Sequence, residues 1–187
     1  MTDEPPAELV VIETARLRLR NLRLDDAADQ HAYARDPEVA LPGMWDPIPT
    51  IEGNRLDLTE TLARQLSRES MEWGIEHVAD GRLIGRCGFA RFRAAHMNGE
   101  LGYALARPYW RHGYMNEAVT AVLAYGFERL GLHRVEAICL ADNTASRRLL
   151  ERTGFQLEGT ARQGFLQDGI YKDLRRYALL KDEWLTS

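Results

Sequence analysis

Gly113 lies in the stretch Trp110, Arg111, His112, Gly113, Tyr114 and Met115, between an alternating run at 100–106 and the clearest amphipathic run of the chain. That order reads as strand, short loop, helix. A helix start offers N–H groups without intrahelical partners and the positive end of the helix dipole, and both suit a phosphate anion. Gly113 permits the close backbone approach that a diphosphate requires. The same glycine also serves a plain strand-to-helix turn, and the spacing alone leaves both readings open. His112 beside it has acid–base and metal chemistry within its range, but a single loop histidine without a partner is equally a solvated one. Neither GxGxxG nor a glycine-rich loop ending in GK[ST] is present, which removes the Rossmann and Walker readings.

The elements that must position this loop follow from periodicity. Leu17 and Leu19 alternate with Arg16, Arg18 and Arg20, a half-buried strand. Asp25 and Asp26 open a helix to about Arg35, since carboxylates are favoured in a first helical turn. Residues 37–49 hold four of the seven prolines and predict a loop or broken turn; a second helix is expected over 51–70. Met71, Trp73 and Ile75 alternate, and Asp80-Gly81 supplies a hairpin turn into 83–91. Leu101, Tyr103 and Leu105 share one face of the strand at 100–106. Val119, Val122, Leu123, Phe127 and Leu130 recur at helical steps until Gly131 stops them. A strand at 134–140, a helix over 143–153 closed by Gly154, and two strands about Asp168-Gly169 complete the order. It predicts an α/β (α+β) domain with a mixed, mostly antiparallel sheet of about seven strands flanked by about four helices.

The 187 residues, 45% of them hydrophobic, fit one domain over 1–187, with 1–8 expected to be disordered. A formal charge of −4 provides no global basic field and argues against a nucleic-acid partner held by phosphate neutralisation. Cys87 and Cys139 sit in apolar runs without CxxC or Cys/His spacing, so a disulfide framework and a structural metal site are both disfavoured; reduced core cysteines are expected. No run approaches the ~20 apolar residues of a membrane helix. The start of the chain is acidic and proline-bearing, unlike a signal peptide. A soluble cytoplasmic protein without a membrane partner is the expectation.

The stretch from Leu105, Ala106, Arg107, Pro108 and Tyr109 into Trp110 through Met115 resembles the acetyl-CoA loop of the Gcn5-related N-acetyltransferases (GNAT), and specifically their ribosomal-protein N-terminal acetyltransferase branch. Further pieces match in order: the run from Thr14 to Arg20, Asn143 to Ser146 with Gly154 and Phe155, Glu158, Gly159 and Arg162, and Asp173 to Trp184. The resemblance spans nearly the whole chain. It implies a GNAT-like fold, acetyl-CoA as co-substrate with no metal, and a primary amine as acceptor. It also implies that Tyr103, Ala104, Leu105, Trp110, Arg111, His112, Gly113, Tyr114, Met115 and Asn143 contact the cofactor. Arg111 and Met115 stand where the family often has glycine, and glycine or alanine. Main-chain amides hold the diphosphate there, so these side chains are compatible with binding provided φ stays negative.

The resemblance further places the pantetheine arm in a gap between the strands at 100–106 and 134–140, where backbone groups of Tyr103, Ala104 and Leu105 pair with its amides and polarise the acetyl carbonyl. Many relatives protonate the departing thiolate with a tyrosine at the position of Leu150, which cannot donate. Ser146, one turn earlier, is the substitute the branch suggests; a serine at a third helical position also commonly satisfies local backbone. Asn143 reads first as a helix cap. Glu100 is the candidate base acting through water, against an ordinary edge carboxylate. A peptide α-amine with a pKa of ~8 is already partly neutral and has little need of a base. Arg147 and Arg148 reach either the cofactor's 3′-phosphate or solvent.

What remains of the chain should choose the acceptor: the loop about Met44 and Trp45, the first two helices and the final hairpin. Asp46, Glu52 and Asp57 are candidates to attract a cationic amine or are surface charges. A protein N-terminus is the first acceptor expected and a small amine such as an aminoglycoside or polyamine the second. A non-catalytic acyl-CoA-binding module is a third reading, and a homodimer is expected at the family level.

Overall fold

The computed structural model describes residues 9–186; the expected disorder of 1–8 lies outside the described residues. Among the described residues, one sheet of eight strands organises the fold. In sequence order these are β1 (Ile12–Glu13), β2 (Leu17–Asn21), β3 (Met71–His77), β4 (Arg82–Arg93), β5 (Asn98–Leu105), β6 (Arg134–Leu140), β7 (Gln156–Gln167) and β8 (Ile170–Leu180). Their order across the sheet is β1-β2-β3-β4-β5-β6-β8-β7. Neighbours are antiparallel except β5 and β6, which run parallel. Six α-helices accompany it: α1 (Ala27–Ala34), α2 (Pro37–Ala40), α3 (Ile51–Leu66), α4 (Tyr114–Ala124), α5 (Thr144–Arg152) and α6 (Lys181–Leu185).

The architecture agrees with the predicted class, and three local differences have identifiable causes. The proline-rich segment is not wholly irregular. Asp36 caps α2 by accepting the Glu38 N–H, and Pro37 sits in the first turn, where its missing N–H costs no helical bond. The helix after Gly113 passes from α4 into a π-helical turn, Tyr125–Arg129. There Gly126 lies against Phe89 so closely that an added Cβ would come within 2.6 Å of its ring. Past β8, the Glu183 carboxylate accepts the Leu180 N–H at 2.8 Å and starts α6, whose Trp184 stacks on Phe127 with ring centroids 5.8 Å apart.

The two sheet faces are covered separately. Leu101 and Leu105 of β5, with Tyr103 between them, meet the core that holds α4 and α5. Leu22, Leu83, Ala104 and Ala106 meet the core under α1 and α3, with Tyr33 and Leu58. Alternation along β5 therefore turns Tyr103 towards the first face, and Glu100, Gly102 and Ala104 towards the second. Leu150 is 1% exposed, a packing residue of α5.

Candidate active site

β5 and β6 pair only through Asn98↔Arg134, Gly99↔Val135 and Glu100↔Glu136. Beyond that point both strands continue, to Leu105 and Leu140, without further pairing, so a gap opens between them. Which main-chain groups line it follows from the antiparallel ladders. The Ala106 N–H donates to the Ile84 carbonyl, and alternate residues in such a ladder point the same way. Ala104 therefore spends its N–H and C=O on β4, whereas Tyr103 and Leu105 direct theirs into the gap. On the other lip, the Ala141 N–H to Asp173 carbonyl bond fixes the same alternation. There Ile138 and Leu140 face the gap. Those two were missed by sequence reasoning, since only the sheet order shows which edge of β6 is free; the main-chain role expected of Ala104 is corrected by the same argument.

The loop from Trp110 to Gly113 closes one end of the gap. Trp110 directs its indole N–H to the Leu105 carbonyl at 2.7 Å, joining loop to strand. Arg111 has φ of 64° and Gly113 φ of 82°. The expectation of negative φ at Arg111 is therefore corrected: a left-handed residue on each side of His112 turns successive N–H groups to one side, an anion-binding arrangement. Gly113 is the N-cap of α4 and brings no side-chain cap. The first helical bond is Glu117 N–H to the Gly113 carbonyl, so the N–H groups of Gly113, Tyr114, Met115 and Asn116 have no place in the helical ladder. The other long helices differ, because Thr50 caps α3 and Asn143 caps α5 with their side chains.

A clamp that sequence reasoning missed holds this loop. Thr14 Oγ1 donates to Glu117 Oε1 at 2.6 Å, Arg16 N–H to the same oxygen at 2.9 Å, and Arg16 Nε to Oε2 at 2.8 Å. Arg16 also donates to the His112 carbonyl at 2.9 Å and lies 4.4 Å from the Tyr114 ring centre. His112 itself is exposed and stacks on Tyr114. In the turn between β3 and β4, Asp80 is bonded by Tyr109 from the segment after β5 and by His77 of β3, which together hold its carboxyl below the usual aspartate range; His77 also meets the Tyr114 hydroxyl. The available signal for the clamp was the Thr14 to Arg20 motif itself.

Burial alone would raise the pKa of Glu117, but the bonds from Thr14 and Arg16 outweigh it and hold the carboxyl below its usual value of 4.5. The folded value is the lower one. Its stabilisation is thus complete above pH 4.5 and is lost as pH falls through the folded value. Glu117→Gln should lower stability by about 1 kcal/mol, a figure reduced for the solvent around Arg16. The difference from the native chain, read by thermal melts, should be widest above pH 5 or so and close in acid.

Across the gap, past the end of β6, the Asn143 side-chain carbonyl oxygen accepts the Ser146 N–H at 3.0 Å and its amide donates to the Pro42 carbonyl at 3.1 Å. Both ends of that amide are thus engaged within the protein, which bears out the cap. Ser146 is 9% exposed, and its Oγ lies 2.7 Å from the Tyr103 hydroxyl. Burial pushes the nearby Cys139 thiol above its usual range. Cys87 and Cys139 are both free and buried. Glu100 stands where pairing of β5 and β6 ends, 3.6 Å from Arg91.

On the α1–α3 face, Met44, Trp45 and Asp46 meet Phe165, Leu166, Gln167, Asp168 and Gly169 about a cleft of about 490 Å³. Gln167 fixes the hairpin by donating to the Leu41 carbonyl at 3.0 Å. The structure thus joins the loop and hairpin expected to choose the acceptor. Of the acidic candidates, Asp46 lines the cleft and Glu52 is exposed on α3. Asp57 is turned inward, bonded to Gln30 and Arg86 at 2.7 and 3.1 Å.

Residues 16–156 match the family described as Acetyltransferase (GNAT) domain. The chain is 35% identical over 172 residues to a Bacillus subtilis (strain 168) protein named "Uncharacterized N-acetyltransferase YoaA", covering 91% of this chain and 97% of that one. It is 29% identical over 186 residues to the [Ribosomal protein uS5]-alanine N-acetyltransferase of Escherichia coli (strain K12), covering 94% and 93%. In fold it superposes on a ribosomal L7/L12 alpha-N-protein acetyltransferase, RimL, in complex with coenzyme A, with a TM-score of 0.84 over 93% of this chain and 99% of that one at 21% identity. A strand pair parted beside an uncapped helix start is what a thioester-bearing nucleotide needs, and with these relationships the chain belongs to the GNAT family as an acyl-CoA-dependent N-acetyltransferase.

Proposed function

We propose that this enzyme transfers the acetyl group of acetyl-CoA to the N-terminal α-amine of a protein. The observation that carries the reading is the gap itself. A main-chain anion cradle at Gly113–Asn116 follows the end of β5, and Asn143, past the end of β6, bonds Pro42 in the segment that leads to the cleft between Trp45 and the β7–β8 hairpin. In this reading the cradle and Trp110 to Met115 hold the diphosphate, and the gap-facing groups of Tyr103 and the N–H of Leu105 hold the pantetheine arm and polarise the thioester carbonyl. The acceptor enters from the cleft. Glu100, on that face, takes up the amine proton through water, and Ser146 protonates the departing sulfur. A cleft of about 490 Å³ takes the first residues of an extended peptide. The activity of the Escherichia coli ribosomal-protein acetyltransferase that it resembles points the same way.

Asp46 and Asp168 in the cleft favour a second acceptor, a small polycationic amine such as an aminoglycoside or polyamine. Release of free thiol from acetyl-CoA against matched panels of peptides and small amines decides between them. The best peptide should exceed the best small amine in kcat/KM by at least about 10-fold, more than 1.4 kcal/mol of discrimination; the reverse ranking would overturn the peptide reading. The proposal includes a cytoplasmic enzyme, which the two free buried cysteines support, and a homodimer, which light scattering checks.

A further inference from the structure

We infer that Tyr103 is a positioning residue for thiolate release: its phenol donates to Ser146 Oγ and leaves the serine's own proton directed at the cofactor sulfur. The inference rests on the reading of Ser146 given above. It starts from a bond that crosses the gap. Tyr103 stands on β5 beyond the last pair with β6, turned to the α4–α5 face, and Ser146 sits in the first turn of α5, 43 residues away in sequence and 2.7 Å away in space.

The proton arrangement follows from counting donors. The Ser146 N–H is already taken by the Asn143 side chain, and the Ser146 hydroxyl meets the Tyr103 phenol across the gap. A hydroxyl has one proton and two acceptor sites. Burial raises the Tyr103 phenol well above its usual value, so it keeps its proton. Either oxygen of this pair can donate; in the inferred arrangement the phenol proton fills one acceptor site of Ser146 Oγ, and the serine proton is left for a sulfur. A thioester lying between β5 and β6 brings its sulfur to that hydroxyl.

In the transfer step the C–S bond breaks with its electron pair on sulfur, which takes the Ser146 proton. The serine oxygen recovers, through water, the proton that Glu100 took from the acceptor nitrogen. Tyr103 keeps its own proton throughout, and its hydrogen bond strengthens while the serine oxygen is electron-rich. No other reactant is required.

The test is a cycle of Tyr103→Phe, Ser146→Ala and the double variant, with acetyl-CoA and whichever amine the native chain acetylates best. Tyr103→Phe keeps the ring that packs in the core, and melts confirm folding. Its kcat should fall about 10- to 100-fold, the loss of one hydrogen bond to a charged centre, while calorimetric affinity for CoA changes less than about 3-fold. The double variant should be no slower than Ser146→Ala alone, because the phenol acts through the serine. Native turnover by Tyr103→Phe beside an impaired Ser146→Ala sinks the inference and leaves the Ser146 reading intact. Native turnover by Ser146→Ala sinks both. Additive losses with weakened CoA binding would show that Tyr103 only supports the strand, and would also overturn the inference.

Discussion

Gly113→Pro abolishes measurable CoA binding, by at least about 100-fold in calorimetry, while the protein stays folded. The expectation has three parts. Proline fixes φ near −65°, and Gly113 has φ of 82°. Proline also removes one of the N–H groups assigned to the diphosphate. Finally, a Cβ at this position stands 3.4 Å from Arg16 Nη2, in the clamp that holds the loop. Gly113→Ala keeps the N–H and isolates the conformational part: holding an L-residue in the left-handed region costs about 1–2 kcal/mol. It should weaken CoA about 5- to 30-fold, between the native chain and the proline variant. The position is exposed, so little core energy is at stake. Binding by the proline variant within about 3-fold of native would mean that the main chain at the start of α4 does not hold the phosphates.

Ser146→Ala should lower kcat about 100-fold or more at nearly native affinity for CoA, the lower end of what a positioned proton donor contributes. Two features make this a clean experiment. Alanine is the best helix former, and the cap of α5 survives because Asn143 accepts a main-chain N–H that the substitution does not touch. The loss should therefore fall on turnover and not on folding or KM. Leu150, at the position where many relatives carry the proton-donating tyrosine, is packed in the core and supplies no alternative. A Ser146→Ala enzyme at full rate would leave the departing thiolate to be protonated by water.

The sequence by itself determined the parts whose physics is local. Gly113 in a left-handed start to an amphipathic helix, Asn143 as cap of α5, and glycine turns at Gly81 and Gly169 are all written in short-range backbone preference. So are the strand periods that put Leu101, Tyr103 and Leu105 on one face. Arg111 marks the limit of that reading: its left-handed φ runs against its side chain and is imposed by the loop around it.

What only the tertiary structure decided involves residues far apart in the chain. Thr14 and Glu117, 103 residues apart, meet because β2 and α4 pack together. Tyr103 reaches Ser146 because β5 and β6 stop pairing at Glu100 and Glu136. The cleft joins Trp45 to the hairpin near Asp168. β8 lies between β6 and β7, an order no local signal encodes. The physical reason is that a residue's backbone preference acts over a few neighbours. Which strand edges remain unpaired, and which side chains then face one another across them, is fixed by the long-range packing of the whole sheet.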